Sequence, residues 1–470
     1  MTHCGYIVKV NQIRPHNNAD RLQVATFFGN DTVVSLDTKY GDVGVYFPSD
    51  LQLSVEFAEA NNLLRKKDEN GNNIGGYMDP DKRNVTAIKL RGEKSDGLFL
   101  PLKSLETFGD ISILHEGDRI DNFNGHEICC KYIPRRNHRH GNVSNGNKTR
   151  KKKVDIAPLF VEHADTEQLA YNLGAFKAGD EIEITLKMHG TSQRTGYLPV
   201  FKGYKRTLVD RILRREGKPI YDWGYVSGTR RTVLENFEGG YYGSNEFREA
   251  HSKFFEGKLN KSETVYYEVV GFTHTGAPIM ASGDNKKLND KDFVKQYGQA
   301  TVFSYGCEPN PVVHEGYNDS TYGYQNERIE YKAPQSDIYV YRMTMTNEDG
   351  FTVEYTPDFM RYRCEQMGVK TVPVMWKGII PENPGIYADG TLVTAGDWID
   401  HIAQEYYDGP DPIGKTHIRE GVVVRILNRP KFCAYKTKNW FFKALEGIVK
   451  VEAEMPDMEE VQEITDELSQ

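Results

Sequence analysis

The chain has 470 residues, of which 38% are hydrophobic and 11% aromatic, so it can build real cores and is too long for one ordinary domain. A net charge of −8 and a pI near 6.0 exclude a dedicated nucleic-acid-coating protein, and any nucleic-acid contact must come from local basic patches. No apolar run reaches the ~18–20 residues that span a bilayer, no basic-then-apolar signal opens the chain, and Cys4, Cys129, Cys130, Cys307, Cys364 and Cys433 show neither Cys-x-x-Cys spacing nor a paired framework. The expectation is a soluble, cytoplasmic protein with no membrane partner, no zinc site and no disulfide scaffold.

Residues 1–130 offer short strand candidates broken by turns: Tyr6–Val10, Leu22–Phe28, Thr32–Leu36, Val43–Phe47, Val85–Leu90 and Gly97–Leu100. Many short strands with few helical patterns predict a small β-barrel domain. Composition then changes abruptly. Residues 131–155 run through Pro134-Arg-Arg-Asn-His-Arg-His140, a Gly/Asn/Ser stretch and Lys148-Thr-Arg-Lys-Lys-Lys153, which cannot bury a core and read as a basic flexible linker. Lys151, Lys152 and Lys153 are candidates for contact with an RNA backbone; a solvated tether explains them equally well.

Residues 156–450 are expected to form a second domain. In Glu181-Ile-Glu-Ile-Thr-Leu-Lys-Met-His-Gly-Thr-Ser192, Ile182, Ile184 and Leu186 alternate with Glu181, Glu183 and Thr185, as in a strand with one buried face. That strand delivers Lys187 to a turn in which Gly190 permits close backbone approach and Thr191 and Ser192 add hydroxyls, a plausible phosphate pocket. Taken alone, a solvated lysine at a strand end is the commoner outcome. Phe201–Lys218 is a second basic stretch, with Lys205, Arg206 and Arg211 as RNA-contact candidates, while Leu208, Ile212 and Leu213 at helical spacing fit a surface helix with a cationic outer face.

Further on, Val226-Ser-Gly-Thr-Arg-Arg-Thr-Val233 presents Arg230 and Arg231, whose planar forks suit phosphate oxygens. Val265-Tyr-Tyr-Glu-Val-Val-Gly-Phe272 carries Glu268 on an apolar strand, where an acid is rarely idle unless paired. Tyr339 and Tyr341 share a face of the strand Asp337–Thr344, and residues 273–330 between these two strands read as an insertion. Arg419-Glu-Gly-Val-Val-Val-Arg-Ile426 carries Glu420, and Ala434-Tyr-Lys-Thr-Lys-Asn439 puts Lys436 and Lys438 on one face of a strand. A helix-like run, Asn439–Val451, and an acidic tail over residues 451–470 close the chain.

The ordered set Lys187, Arg230 or Arg231, Glu268, Tyr339 or Tyr341, Glu420, and Lys436 with Lys438 resembles the motifs of the covalent nucleotidyltransferases, the superfamily of ATP-dependent ligases and capping enzymes. Lys-x-His-Gly is similar to the variant found in some RNA ligases. Ile13–Leu22 and Leu90–Leu100 resemble the OB-fold tRNA-binding modules appended to some aminoacyl-tRNA synthetases, and the layout resembles the Deinococcus-type RNA ligases. The resemblance implies an α+β protein: an N-terminal OB-like β-barrel, then a nucleotidyltransferase (ATP-grasp-like ligase) domain of antiparallel sheets with flanking helices. It implies that Lys187 attacks ATP, that Thr185, Leu186, Gly190, one of the two arginines and the two C-terminal lysines line the nucleotide, that Glu268 lies near the ribose hydroxyls, that one tyrosine stacks on adenine, and that Glu420 positions Mg2+ or Mn2+. The implied substrate is RNA or an RNA-containing nicked duplex, with no stable protein partner. A capping-type guanylyltransferase and a catalytically degenerate RNA-binding protein remain as alternatives.

Overall fold

The computed structural model describes residues 3–49, 51–67, 73–132, 155–164, 166–213, 217–230, 232–234, 237, 246–273, 279–280, 283–284, 291, 294–295, 300–301, 305, 309–313, 329–331, 336–387, 392–414, 417–445 and 449–450. The predicted linker, with Lys151, Lys152 and Lys153, and the acidic tail lie outside the described residues apart from positions 131–132 and 155. Two compact units result. One holds residues 1–142 with 443–470 and the short piece 287–289; the other holds 143–286 and 290–442.

The first unit is built from strands at the predicted places. β1 (Gly5–Lys9), β2 (Ile13–Pro15), β3 (Leu22–Phe27), β4 (Asn30–Ser35) and β5 (Val43–Phe47) are followed by α1 (Val55–Ala60), β6 (Ala87–Leu90), β7 (Glu93–Ser95), β8 (Leu98–Pro101) and β9 (Arg119–Ile120). They pair as an open sheet β8-β5-β1-β9, a meander β2-β3-β4, and the hairpin β6-β7 to which Val449–Lys450 adds in parallel. Among the described residues these sheets do not close into a barrel. The unit's core gathers Ile7, Val45, Phe47, Leu53, Phe57 and Ile128, all fully buried. The expected helix over Asn439–Val451 is shorter: it spans Trp440–Leu445, and the chain becomes extended at Val449–Lys450, where the β6 edge offers backbone partners.

The second unit contains two antiparallel-rich sheets. The first has the order β10 (Glu167–Gln168), β20 (Ala434–Lys438), β19 (Gly421–Ile426), β11 (Glu181–Leu186), β18 (Val374–Ile379). The second has the order β13 (Lys218–Gly228), β12 (Thr191–Lys205), β14 (Glu263–Gly271), β15 (Ser336–Thr346), β16 (Thr352–Glu354), with β17 (Lys370–Thr371) alongside β15. The short helix α2 (Leu208–Ile212) tips the β12–β13 hairpin, and α3 (Glu246–Phe254), α4 (Pro357–Met367) and α5 (Ala395–Tyr406) are the longer helices. Thr356 caps α4 with Pro357 following it, Gly368 ends it at a left-handed φ of 70°, and Thr394 with Asp397 forms a capping box on α5.

Each sheet has one apolar face. Ile182 and Ile184 join Val422, Val424 and Ile426 under α5, whose Ile399 and Ala403 are fully buried. Val265, Tyr267 and Val269 of β14 meet Ile338, Val340 and Met343 of β15 under Phe247 of α3 and Met360, Cys364 and Met367 of α4. Burial of each large side chain contributes about 1.5–3 kcal/mol. The period of two then turns Ser192, Glu268 and Tyr339, which are register partners across three strands, to the opposite face. One detail departs from the alternation read in β11. Glu183 was expected to be solvent-facing but is 3% exposed, because Arg361 of α4 reaches it with a two-pronged contact of 3.2 and 2.8 Å. Among the described residues no helix is long and apolar enough to cross a membrane.

Candidate active site

β11 ends at Leu186, and the next backbone N–H, that of Lys187, donates to Gly421 O at 3.0 Å at the start of β19. This places the lysine beside Glu420. Lys187 Nζ donates to Glu420 Oε1, Lys438 Nζ lies 3.1 Å from the same oxygen, and His189 Nδ1 lies 3.2 Å from Oε2. A carboxylate only accepts, so Nδ1 carries the hydrogen. Glu420 is 3% exposed and His189 4%. Burial by itself would raise the Glu420 carboxyl, but Lys187, Lys438 and His189 outweigh it and hold the group well below the usual carboxylate range. Residues from 187, 189, 420 and 438 thus form one charged knot.

Two glycines make the knot possible. A Cβ on Gly190 would lie 2.4 Å from Val269 O, and one on Gly421 2.0 Å from Thr437 O, at a φ of 147° that side chains rarely adopt. Gly190 is therefore the place where the turn after the lysine presses against β14, bringing Lys187 towards Glu268. Burial pushes the Glu268 carboxyl up to about 7; Lys187, Arg230 and Arg248 oppose the rise and Glu420 adds to it. At neutral pH this acid is therefore only partly ionised, unlike Glu420.

The aromatic wall lies on the second sheet. Tyr339 pairs with Glu268 in register, while Tyr341 occupies a bulge between the Tyr267–Val340 and Tyr266–Arg342 pairs. The Tyr341 hydroxyl is 2.8 Å from Ser192 Oγ and its ring stands 5.0 Å from that of His163. Tyr339 is 6% exposed, with Lys370 Nζ 5.6 Å from its ring centre.

The remaining predicted residues are placed as follows. Thr185 is half-buried, its Oγ1 donating to Val423 O at 3.5 Å. Leu186 is buried, and its backbone N–H donates to Pro373 O at 2.9 Å. Arg230 is exposed at the end of β13 and its charge lowers the Glu268 and Tyr341 groups, while Arg231 lies outside the described residues. Lys436 is half-buried two residues before Lys438 on β20. Lys205 and Arg206 are exposed at the far end of the β12–β13 hairpin, and Arg211 falls within α2, its side chain outside the description. α2 does not pack as an amphipathic surface helix would: Leu208 is 76% and Ile212 78% exposed.

Arg248 is a residue that sequence reasoning missed. It is 4% exposed and clasps the turn after the lysine, its Nη2 donating to Thr191 Oγ1 at 2.6 Å and its Nη1 to Ser192 O at 3.2 Å, while Gln193 Nε2 donates to Arg248 O at 2.9 Å. In the sequence it is an arginine inside a charged helix, with no signal that separates it from Lys253 one turn later, which is exposed and paired with Glu249.

Among the described residues no group of three or more His, Cys, Asp and Glu could hold a metal unaided. Glu420 still fits a Mg2+ or Mn2+ site, since such ions are held through one or two carboxylates together with phosphates and water.

No protein-family model and no curated protein matches the sequence. Solved structures do. An RNA ligase of Naegleria gruberi with PPi is 15% identical at a TM-score of 0.52, covering 94% of this chain and 98% of that one. A single-residue variant of that ligase with AMP and Mn is 16% identical at a TM-score of 0.53, covering 95% and 98%. Across almost its whole length, this chain has the fold of that RNA ligase.

Proposed function

We propose that the chain is an ATP-dependent RNA ligase that joins a 3′-OH and a 5′-phosphate, at nicks in duplexes, through a lysyl-AMP intermediate. The observation that carries this reading is the knot of Lys187, Glu420, Lys438 and His189: a lysine held at a strand end beside a buried carboxylate and a second cation, within electrostatic reach of Glu268, the register partner of Tyr339. The Naegleria gruberi fold, seen with PPi, AMP and Mn, supports ATP and a divalent ion as the small molecules involved.

Neutral Lys187 Nζ attacks the α-phosphorus of ATP, a P–N bond forms, and the bond to the β-phosphate breaks to release pyrophosphate. An RNA 5′-phosphate oxygen then attacks the adenylate phosphorus and displaces the lysine amine, which forms a 5′–5′ pyrophosphate, and finally a 3′-OH attacks the phosphorus of the RNA 5′-phosphate, loses its proton to solvent and expels AMP. Lys436 and Lys438 neutralise the departing phosphates, and Arg230 meets the nucleotide or 5′-phosphate. Glu268 takes the ribose hydroxyls, for which a carboxyl titrating near 7 serves as either acceptor or donor. Tyr339 or Tyr341 provides the stacking surface. A Mg2+ or Mn2+ ion at Glu420 would add positive charge beside Nζ, which favours the unprotonated amine and neutralises phosphate. Positioning, more than covalent assistance from further side chains, lowers the barrier.

In this reading residues 1–130 are an OB-like module and 131–155 a tether, which with Lys205, Arg206 and Arg211 hold the RNA. The test incubates the protein with labelled ATP or GTP, then offers nicked duplexes with RNA or DNA 3′-OH strands. An ATP-derived adduct and sealing of the RNA nick are expected. A GTP adduct would favour the capping reaction, and no adduct would favour an RNA-binding protein on a degenerate scaffold.

A further inference from the structure

The hairpin of β12 and β13 carries a row of aromatic side chains on one face. In register, Tyr197 pairs with Tyr225, Pro199 with Trp223 and Phe201 with Tyr221, and after a bulge between Phe201 and Gly203 the next pair on that face is Tyr204 with Pro219. The inner pair is taken up by the fold. Its two rings stack on each other at 4.6 Å and 18°, both pack against the core beneath α3 and α4, and the Tyr225 hydroxyl accepts from Gly257 N–H at 2.6 Å. The outer rings are arranged differently: Phe201 meets Tyr204 at 5.1 Å and Tyr221 at 6.0 Å, both edge to face, so they form no closed stack, and these rings and Trp223 are all half-buried. Cations flank this outer half. Lys202, Lys205, Arg206 and Lys218 are exposed, Lys261 Nζ stands 5.0 Å from the Trp223 ring centre, and residues 202–218 hold seven Lys and Arg against Asp210 and Glu216 in a chain of net charge −8. The chain that follows the basic stretch arrives at the same place. Phe201 N–H donates to Ile156 O at 2.8 Å and the Tyr221 hydroxyl to Asp155 O at 3.0 Å, and Lys153 is two positions before Asp155, about 7 Å of chain at most.

Half-buried rings at alternate strand positions, edged by cations, suit a polyanion that has aromatic faces to offer. We propose that the outer half of this hairpin face is a stacking platform for an unpaired stretch of RNA. Bases lie on Phe201, Tyr221 and Trp223, while Lys202, Lys218 and Lys261 meet the phosphates between them. Spacing selects a single strand over a duplex: side chains two positions apart on a strand are about 6.6 Å apart, whereas duplex bases follow one another every ~3.4 Å with their faces already covered. β12 starts at the lysine's turn and reaches Phe201 ten residues on, about 33 Å away, so the stretch engaged is several nucleotides from the joint. The proposal rests on the RNA reading above and deepens it by naming the strand type that the hairpin takes and the rings that take it.

The experiment measures binding of the full-length protein to labelled single-stranded RNA, to an abasic tract of equal length and charge, and to a blunt RNA duplex, by fluorescence anisotropy across a salt series. The base-bearing strand should bind about tenfold or more tightly than the abasic tract, and it should quench tryptophan fluorescence, a quench that Trp223→Phe removes. Phe201→Leu together with Tyr221→Leu keeps apolar volume but removes two rings. That pair should lower the preference for bases about tenfold while abasic and duplex affinity, the salt slope and labelled-ATP adduct formation stay at wild-type levels, the adduct reporting that the variant is folded. Equal binding of the base-bearing and abasic strands by the wild type, a preference retained in the leucine pair, or an equal loss of duplex binding in it overturns the proposal. If the leucine pair forms no adduct, the Trp223→Phe comparison decides, and a quench that persists there overturns it. A wild type with the preference but no adduct would sink the ligase reading and leave the platform standing; adduct without the preference would do the reverse.

Discussion

The two sheets of the second unit bring opposite chemistry to the two sides of the lysine's turn. From the first come Lys187, Glu420 and Lys438, in mutual contact, with one carboxylate answered by two lysines and a histidine. From the second come Ser192, Glu268, Tyr339 and Tyr341, a row of hydroxyl, aromatic and carboxyl groups in which the acid is pushed up to about 7 by burial. The same residue type therefore has two characters on the two sheets: Glu420 stays ionised because cations surround it, whereas Glu268 is desolvated with too little compensation. If the protein is the proposed ligase, the first sheet handles phosphate charge and the second receives the nucleoside.

That contrast can be broken from the charged side first. Lys187→Ala should abolish the labelled-ATP adduct, and Lys187→Arg should not restore it, because a guanidinium keeps its proton. Adduct persisting in Lys187→Ala would move the nucleophile elsewhere. Next, Glu420→Ala should lower adduct formation by about a hundredfold or more at limiting Mn2+, since the knot then holds unanswered cations and the metal loses its carboxylate. Wild-type rates with that variant would remove the charged sheet from the reaction.

Arg248 fixes the start of β12, just after the lysine's turn, and its effect should be smaller. Arg248→Met releases Thr191 and Ser192, and a shift of about 1 Å in the turn can cost about a hundredfold. We expect a fall in the rate of adduct formation between about ten- and a hundredfold, with little change in the ATP concentration for half-saturation, and partial recovery on adding guanidinium at non-denaturing concentration. A loss without such recovery would mark a folding role only.

The second sheet is sharpened by pH. Because the Glu268 carboxyl is raised in the folded protein from 4.5 to about 7, folding favours its protonated form: the contribution is fully present below pH 4.5 and is lost as pH rises through 7. Glu268→Gln, which mimics the protonated acid, should raise Tm at pH 8 and have no effect near pH 4. A Tm difference independent of pH would place Glu268 in a solvated setting. The smallest effect expected is that of Tyr341→Phe, which removes only the hydroxyl contact to Ser192 and should weaken ATP use a few-fold, measured as half-saturating ATP in adduct formation.

How far the sequence reached depended on whether a feature was local. The alternation of Ile182, Ile184 and Leu186, the glycine at 190, and the strands around Glu268, Tyr341 and Lys438 were legible because side-chain period and backbone freedom are properties of a few adjacent residues. The order of the charged motifs along the chain likewise needed no coordinates. Tertiary structure decided the rest. That Glu183 is buried against Arg361, that Arg248 holds the lysine's turn, that Glu420 meets Lys187 across 233 positions, and that two glutamates on apolar strands titrate in opposite directions all depend on which distant strands and helices come to lie side by side. Desolvation and Coulomb forces act over a few ångströms in space and are blind to distance along the chain, so pattern along the chain finds the groups while only packing sets their charge.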